Sequence, residues 1–172
     1  MTDVLTTEQR HLNMKNIKGR NTKPELLIRQ GLHRRGLRFR LNNSNLPGKP
    51  DLILPRHGVV VFIHGCFWHG HDCPMFHLPE TRREFWRNKI ESTKIRDLKV
   101  HSELLVLDWR ILTVWECSMR GKNRMPPDSL IDSCVDFIHS QARTQVLTGQ
   151  HYLGLNSNPE THEKYEDDLS RF

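Results

Sequence analysis

Long apolar stretches are missing from this 172-residue sequence. The longest strongly apolar run is Val59 to Ile63, far short of the ~20 residues that cross a bilayer as a helix. No basic start leads into an apolar segment of the kind that directs export, so neither a signal peptide nor a membrane contact is expected. The expected location is the cytoplasm. Internal repeats are absent, which excludes solenoids and arrays. Cysteine is scarce, with four residues, and in a reducing compartment four thiols point to a metal site rather than to disulfides. A chain of this length can bury a core without covalent staples, so one main domain with one main site is expected.

What the sequence has in excess is basic charge. The formal net charge is +6 and the pI about 9.4, unevenly distributed: residues 150–172 hold five acidic and two basic side chains, net −3, leaving +9 on the rest. A basic body suits a polyanionic partner, because Lys and Arg gain free energy by displacing counterions from phosphates. A soluble basic protein with no such partner has the same composition, so charge alone does not decide.

Hydropathy patterning divides the chain. Residues 1–20 are polar and basic with too little apolar surface to fold alone, an arm expected to order against a partner such as nucleic acid, or a frayed terminus. Thr22-Lys23-Pro24-Glu25 has the form of a capping box, so a helix should begin there and run to Gly36. Leu37 to Leu41 alternates apolar and basic residues, the pattern of a strand with one buried face. Asp51–Leu54 and Gly58–Ile63 read as two strands joined by a short turn, the second central in a sheet because it is apolar on both faces. A long helix is expected from Thr81 to Asp108, carrying Phe85, Trp86, Ile90, Leu98 and Leu105. Trp109–Trp115 reads as another strand and residues 128–142 as an amphipathic helix. The order of helix, three strands, helix, strand, helix describes an α/β fold, helices flanking a mixed sheet. The expected division is an arm over 1–20, a catalytic domain over 21–148 and a polar, mobile tail over 149–172.

Residues 47–73 concentrate the chemistry. Cys66, His71, Cys73 and Cys117 make a tetrahedral zinc set: three lie within eight residues, and the fourth follows a strand that can return beside the first ones. Four protein ligands close the shell, so this zinc would be structural. Cys134 falls on the apolar face of the last helix and reads as a core residue. Asp51 follows a Pro-Gly-Lys-Pro loop at a strand start, a rigid carboxylate suited to Mg²⁺ and substrate phosphate; an aspartate capping a turn has the same setting. His64 and His69 lie just past the second hairpin strand, where an imidazole could take a proton from an attacking water. Glu25 is explained by capping before any catalytic role. Phe67-Trp68, in a polar, glycine-flanked loop, and Trp86 could wedge between base steps opposite Met14 or Ile17 of the arm, or could fold back over the zinc loop.

These strings are similar to those of the very short patch repair endonucleases. The resemblance is carried by Asn13-Met14, by Asn21-Thr22-Lys23-Pro24-Glu25, by Leu46-Pro47-Gly48-Lys49-Pro50-Asp51 and by Phe62-Ile63-His64-Gly65-Cys66-Phe67-Trp68-His69. It continues in Thr81-Arg82-Arg83-Glu84-Phe85-Trp86, Trp109-Arg110-Ile111 and Val114-Trp115-Glu116-Cys117. It implies a restriction-endonuclease-like fold and a monomeric nickase that binds double-stranded DNA with a T:G mismatch. That enzyme cuts the thymine strand on the 5′ side of the mismatched T left by deamination of 5-methylcytosine. By position, the likeness implies Asp51 and the backbone carbonyl of Ile63 as Mg²⁺ ligands, His69 as the proton-transfer residue, His64 as a neighbouring catalytic imidazole and Glu25 as an additional active-site carboxylate. Cys66, His71, Cys73 and Cys117 would hold Zn²⁺. Phe67, Trp68 and Trp86 would intercalate, with Met14 and Ile17 on the other side and Lys89 near the base edges. Mismatch-repair proteins and a cytosine methyltransferase are the implied partners. Two departures stand out: Phe62 and His64 occupy the places of the D/E-x-K pair usual in restriction-type nucleases, and position 93 is Thr93 rather than a base-contacting amide. A restriction-like enzyme cutting matched DNA and a non-catalytic zinc-stabilised DNA-binding module are the alternatives.

Overall fold

The structure is a computed structural model and describes residues 6, 8, 9, 12, 15, 19–41 and 45–149. Met14, Ile17 and the acidic tail beyond Gly149 lie outside the described residues. The elements follow the order α1 (Lys23–Arg34), β1 (Arg40–Leu41), β2 (Leu52–Leu54), β3 (Val59–His64), α2 (Arg83–Val106), β4 (Arg110–Trp115), α3 (Pro127–His139) and β5 (Thr144–Leu147). The strands form one mixed sheet in the order β1-β2-β3-β4-β5. The β1–β2 and β2–β3 pairs are antiparallel, whereas β3–β4 and β4–β5 are parallel.

Period-two alternation sorts the strand side chains onto two faces. Leu52, Leu54, Val59, Val61, Leu112 and Val114 join Ile28 and Leu32 of α1 and Leu130 and Phe137 of α3 in the larger core. Ile53, Val60, Phe62 and Ile111 face the other way and pack with Leu104 of α2. The result is a three-layer α/β/α sandwich, the fold class the pattern implied. Glycine allows α1 and α3 to approach closely: a Cβ at Gly31 would run into the side chain of Ile131. No helix among the described residues is long and apolar enough to cross a membrane.

Three expectations are corrected. The strand expected over Leu37–Leu41 shortens to Arg40–Leu41, because β2 offers only Ile53 and Leu52 as partners and leaves Leu41 46% exposed. A fifth strand, Thr144–Leu147, follows the last helix, which ends at His139. Its sequence lacks alternation and Val146 is exposed; main-chain pairing with β4 holds it as an edge. On α2 only Ile90 and Leu104 are buried, while Phe85 is 46% exposed and Leu98 and Leu105 half-buried. This helix spans 24 residues, and its last turns cover the sheet while Ile90 packs beside Gly70 of the loop after β3.

Candidate active site

Strand pairing decides which residues meet. β3 and β4 run parallel with His64 opposite Trp115, so both leave the sheet at the same end. The antiparallel β2–β3 hairpin pairs Leu52 with Val61, which brings Asp51, just before β2, to that end as well. There a cavity of about 570 Å³ is lined by Asp51, Ile63, His64, His69, Glu25 and Asp97, with Lys49, Arg96 and Trp68 also on its walls.

Asp51 accepts a 2.7 Å hydrogen bond from the Ile63 N–H through Oδ2, which fixes the carboxylate against the backbone of β3. Burial pushes its carboxyl up from 3.8 to about 6; the Ile63 hydrogen bond opposes this and the Glu25 charge adds to it. His64 is buried at the end of β3, and desolvation, reinforced by the neighbouring His69, lowers its pKa to about 3, so it stays neutral at physiological pH. The His64 and His69 rings stack 3.7 Å apart and 6° from parallel. Nδ1 of His69 lies 2.5 Å from Oδ2 of Asp97. Burial alone would raise the Asp97 carboxyl, but the His69 contact outweighs it and the net shift is downward. A carboxylate on Nδ1 selects the Nδ1–H tautomer and leaves Nε2 free to accept a proton. His64, His69 and Asp97 have donor atoms within 4.8 Å of one another. Parallel stacking, however, puts the two imidazole lone pairs in separate planes, a poor arrangement for sharing one ion.

Glu25 is buried and fully engaged. With Thr22 it forms a capping box, Oε1 accepts from the Thr22 hydroxyl at 2.9 Å, and Oε2 accepts from the Asn21 N–H at 3.0 Å and from Arg29 Nη2 at 2.6 Å. Arg29 also donates to Asn21 Oδ1 at 2.6 Å. Capping and a place on the cavity wall coexist in one carboxylate, whose oxygens are already occupied by protein donors.

Beside the cavity, donor atoms of Cys66, His71, Cys73 and Cys117 lie within 4.8 Å of one another. His71 Nδ1 is 3.6 Å from the Cys66 sulfur and 3.5 Å from that of Cys117. The three cysteines are buried and form no disulfide. Hydrogen bonding from Cys66 lowers the Cys117 thiol to about 4 against the effect of burial, and the same contact, with burial, pushes Cys66 up. Three sulfurs and one imidazole closing on a point, one thiol already inclined to ionise, fit a tetrahedral metal centre. The loop can close because Gly70 has φ +62° and lies against Ile90 of α2, where a Cβ would collide. Cys134 is away in the helical core, its thiol raised to about 12 by burial.

The aromatic residues gather between loop and helix. Phe67 packs edge-on against Trp68 at 5.1 Å and against Trp86 at 5.2 Å, with Trp68 and Trp86 6.1 Å apart. Trp68 remains 37% exposed, so the cluster both stacks on itself and presents a face. Lys89, three residues beyond Trp86 on α2, is exposed near that face.

Sequence reasoning missed Asp97 and Arg29. Asp97 lies 28 residues from His69 and reads as part of the charged outer face of a helix; no local spacing marks it. Arg29 follows Glu25 by four residues, an i,i+4 pairing the sequence does contain.

The family described as DNA mismatch endonuclease Vsr matches the chain over residues 2–75. The Escherichia coli DNA mismatch endonuclease Vsr is 39% identical over 155 residues, covering 89% of this chain and 99% of that protein. The type II nicking enzyme V.XorIIP of Xanthomonas oryzae pv. oryzae is 43% identical over 119 residues, covering 69% and 88% of the two chains. V.NmeAIP, a type II nicking enzyme of Neisseria meningitidis, is 43% identical over 122 residues, covering 71% and 87%.

Proposed function

Since the chain belongs to the Vsr family of DNA mismatch endonucleases, with its restriction-endonuclease-like fold, we propose that it nicks the thymine strand 5′ of a T:G mismatch in a Mg²⁺-dependent reaction. It is a DNA endonuclease, a phosphodiester hydrolase with metal-binding residues. The observation that carries the finer reading is the meeting of Asp51 with the Asp97–His69 pair in one cavity.

In this reading Asp51 and the Ile63 carbonyl would hold Mg²⁺, which would supply positive charge against that developing on the scissile phosphate. His69 accepts a proton from the attacking water through Nε2 while Asp97 keeps its tautomer and stabilises the imidazolium. The water oxygen then bonds to phosphorus and the bond to the leaving sugar oxygen breaks. His64, buried and neutral, supports His69 by stacking and faces the same phosphate. Glu25 acts as an active-site carboxylate through its charge and its hold on residues 21 and 22, since its oxygens are engaged. Cys66, His71, Cys73 and Cys117 would hold a structural Zn²⁺, which would fix the loop bearing His69. Phe67, Trp68 and Trp86 intercalate beside the mismatch, with Lys89 near the base edges and the arm, through Met14 and Ile17, on the opposite side. The enzyme acts as a monomer, beside mismatch-repair proteins and a cytosine methyltransferase.

Purified protein with Mg²⁺ should nick a labelled T:G duplex, and Asp51→Ala should abolish nicking while the melting temperature and bound zinc persist. Equal cutting of matched duplexes would overturn the mismatch reading; tight binding without cleavage of any duplex would favour a non-catalytic module.

A further inference from the structure

Two permanent cations line the cavity, Lys49 and Arg96. Arg96 is engaged with Asp97 at 3.4 Å, whereas among the described residues no carboxylate forms an ion pair with Lys49. β3, the strand facing Asp51, carries no lysine or arginine. The cavity must nonetheless accept a phosphate whose charge grows as water adds, beside four carboxylates at Asp51, Glu25, Asp97 and Glu116.

The backbone at Lys49 is built at a cost. Its N–H closes a turn onto the Leu46 carbonyl at 3.2 Å, with Pro47 and Gly48 in the corner and Gly48 at φ +69°. The loop is pressed onto α2, where a Cβ at Gly48 would strike Val100. Lys49 itself then takes φ +51°, a left-handed conformation that disfavours any side chain with a Cβ. Glycine would be cheaper there by general principle. An exposed lysine on a strained, braced turn two residues before Asp51 has its backbone, and so the root of its side chain, fixed at the cavity wall.

Resting on the nuclease reading above, we propose that Lys49 is a further catalytic residue, its ammonium group donating to a non-bridging oxygen of the scissile phosphate. It transfers no proton; it offsets the negative charge that accumulates on that oxygen as the water–phosphorus bond forms. Such a contact strengthens towards the transition state and therefore acts on the rate more than on binding.

The test is single-turnover nicking of a T:G duplex at saturating DNA and Mg²⁺, with duplex affinity measured separately without Mg²⁺. Lys49→Met keeps the Cβ and the backbone strain, and should lower the rate about 100-fold while affinity changes less than about threefold. Lys49→Arg should restore most of the rate. Lys49→Gly should raise or leave unchanged the melting temperature yet be as slow as Lys49→Met, a separation that a purely structural lysine would not give. Affinity lost with the saturated rate intact, or Lys49→Arg as slow as Lys49→Met, overturns the assignment. Wild-type nicking matched by Lys49→Met overturns it alone, whereas no nicking by wild type on any duplex overturns the nuclease reading and this inference with it.

Discussion

If Asp51 holds the proposed Mg²⁺, proton and cation compete there. Its carboxyl is raised to about 6 chiefly by burial, so around that pH it passes to the neutral, protonated form, which offers a cation no charge. Nicking should therefore fall on the acid side with a midpoint near pH 6 at low Mg²⁺, and raising Mg²⁺ should move that limb to lower pH; a rate–pH series at two Mg²⁺ concentrations checks it. Stability responds in the opposite sense. A folded pKa raised above 3.8 means that the metal-free protein loses the Asp51 contribution as pH rises through about 6. His64, depressed to about 3, contributes stability present above 6.5 and lost as pH falls towards 3. At this scale the legible residues were those inside one short segment. Asp51, His64 and His69 stand within 19 positions of one another, whereas Asp97 is written into an unremarkable charged helix and becomes meaningful only when α2 crosses the loop after β3.

Helices α1 and α3 meet where Gly31 faces Ile131, and Ile131 belongs to the larger core. An alanine at Gly31 would gain ~1 kcal/mol of helix propensity, but its Cβ would sit 2.5 Å from Ile131 Cγ1, on a side chain only 4% exposed. Overpacking of this kind costs ~1–3 kcal/mol, and the crowded, buried partner lets it win. Gly31→Ala should lower the melting temperature by several degrees in a calorimetric scan, and adding Ile131→Val, which removes the Cδ1 methyl but keeps Cγ1, should recover only part of it. The elements themselves were legible where local physics is strong. The capping box starts α1 after Thr22, and alternation sorts β3 and β4 onto two cores. β5 was not, because an edge strand held by main-chain bonds needs no hydropathy pattern.

The Cys/His cluster ties distant parts of the chain together. Cys66, His71 and Cys73 come from the loop after β3, and Cys117 from the turn after β4. Gly149, beyond β5, hydrogen-bonds to Cys117. Chelating the proposed Zn²⁺ should leave four ligands, three of them buried, without the ion that holds them together, and free the loop that carries His69. Dialysis against a strong chelator should lower the melting temperature by more than about 10 °C, by the usual size of structural zinc contributions. Nicking should be lost with it and return on adding Zn²⁺ but not Mg²⁺ alone, measured by melting scans and gel assay.

By itself the sequence determined what neighbours in the chain can settle: the alternation that makes a two-faced sheet, the capped helix, and three side chains able to ligate a metal packed into eight residues. Tertiary structure alone decided the rest. Parallel pairing of β3 with β4 delivers Cys117 to its loop, α2 carries Asp97 to His69, and α1 locks Glu25 with Arg29 on the cavity wall. Spacing encodes which face a side chain takes within its element; which elements touch is fixed only when their buried faces are packed together.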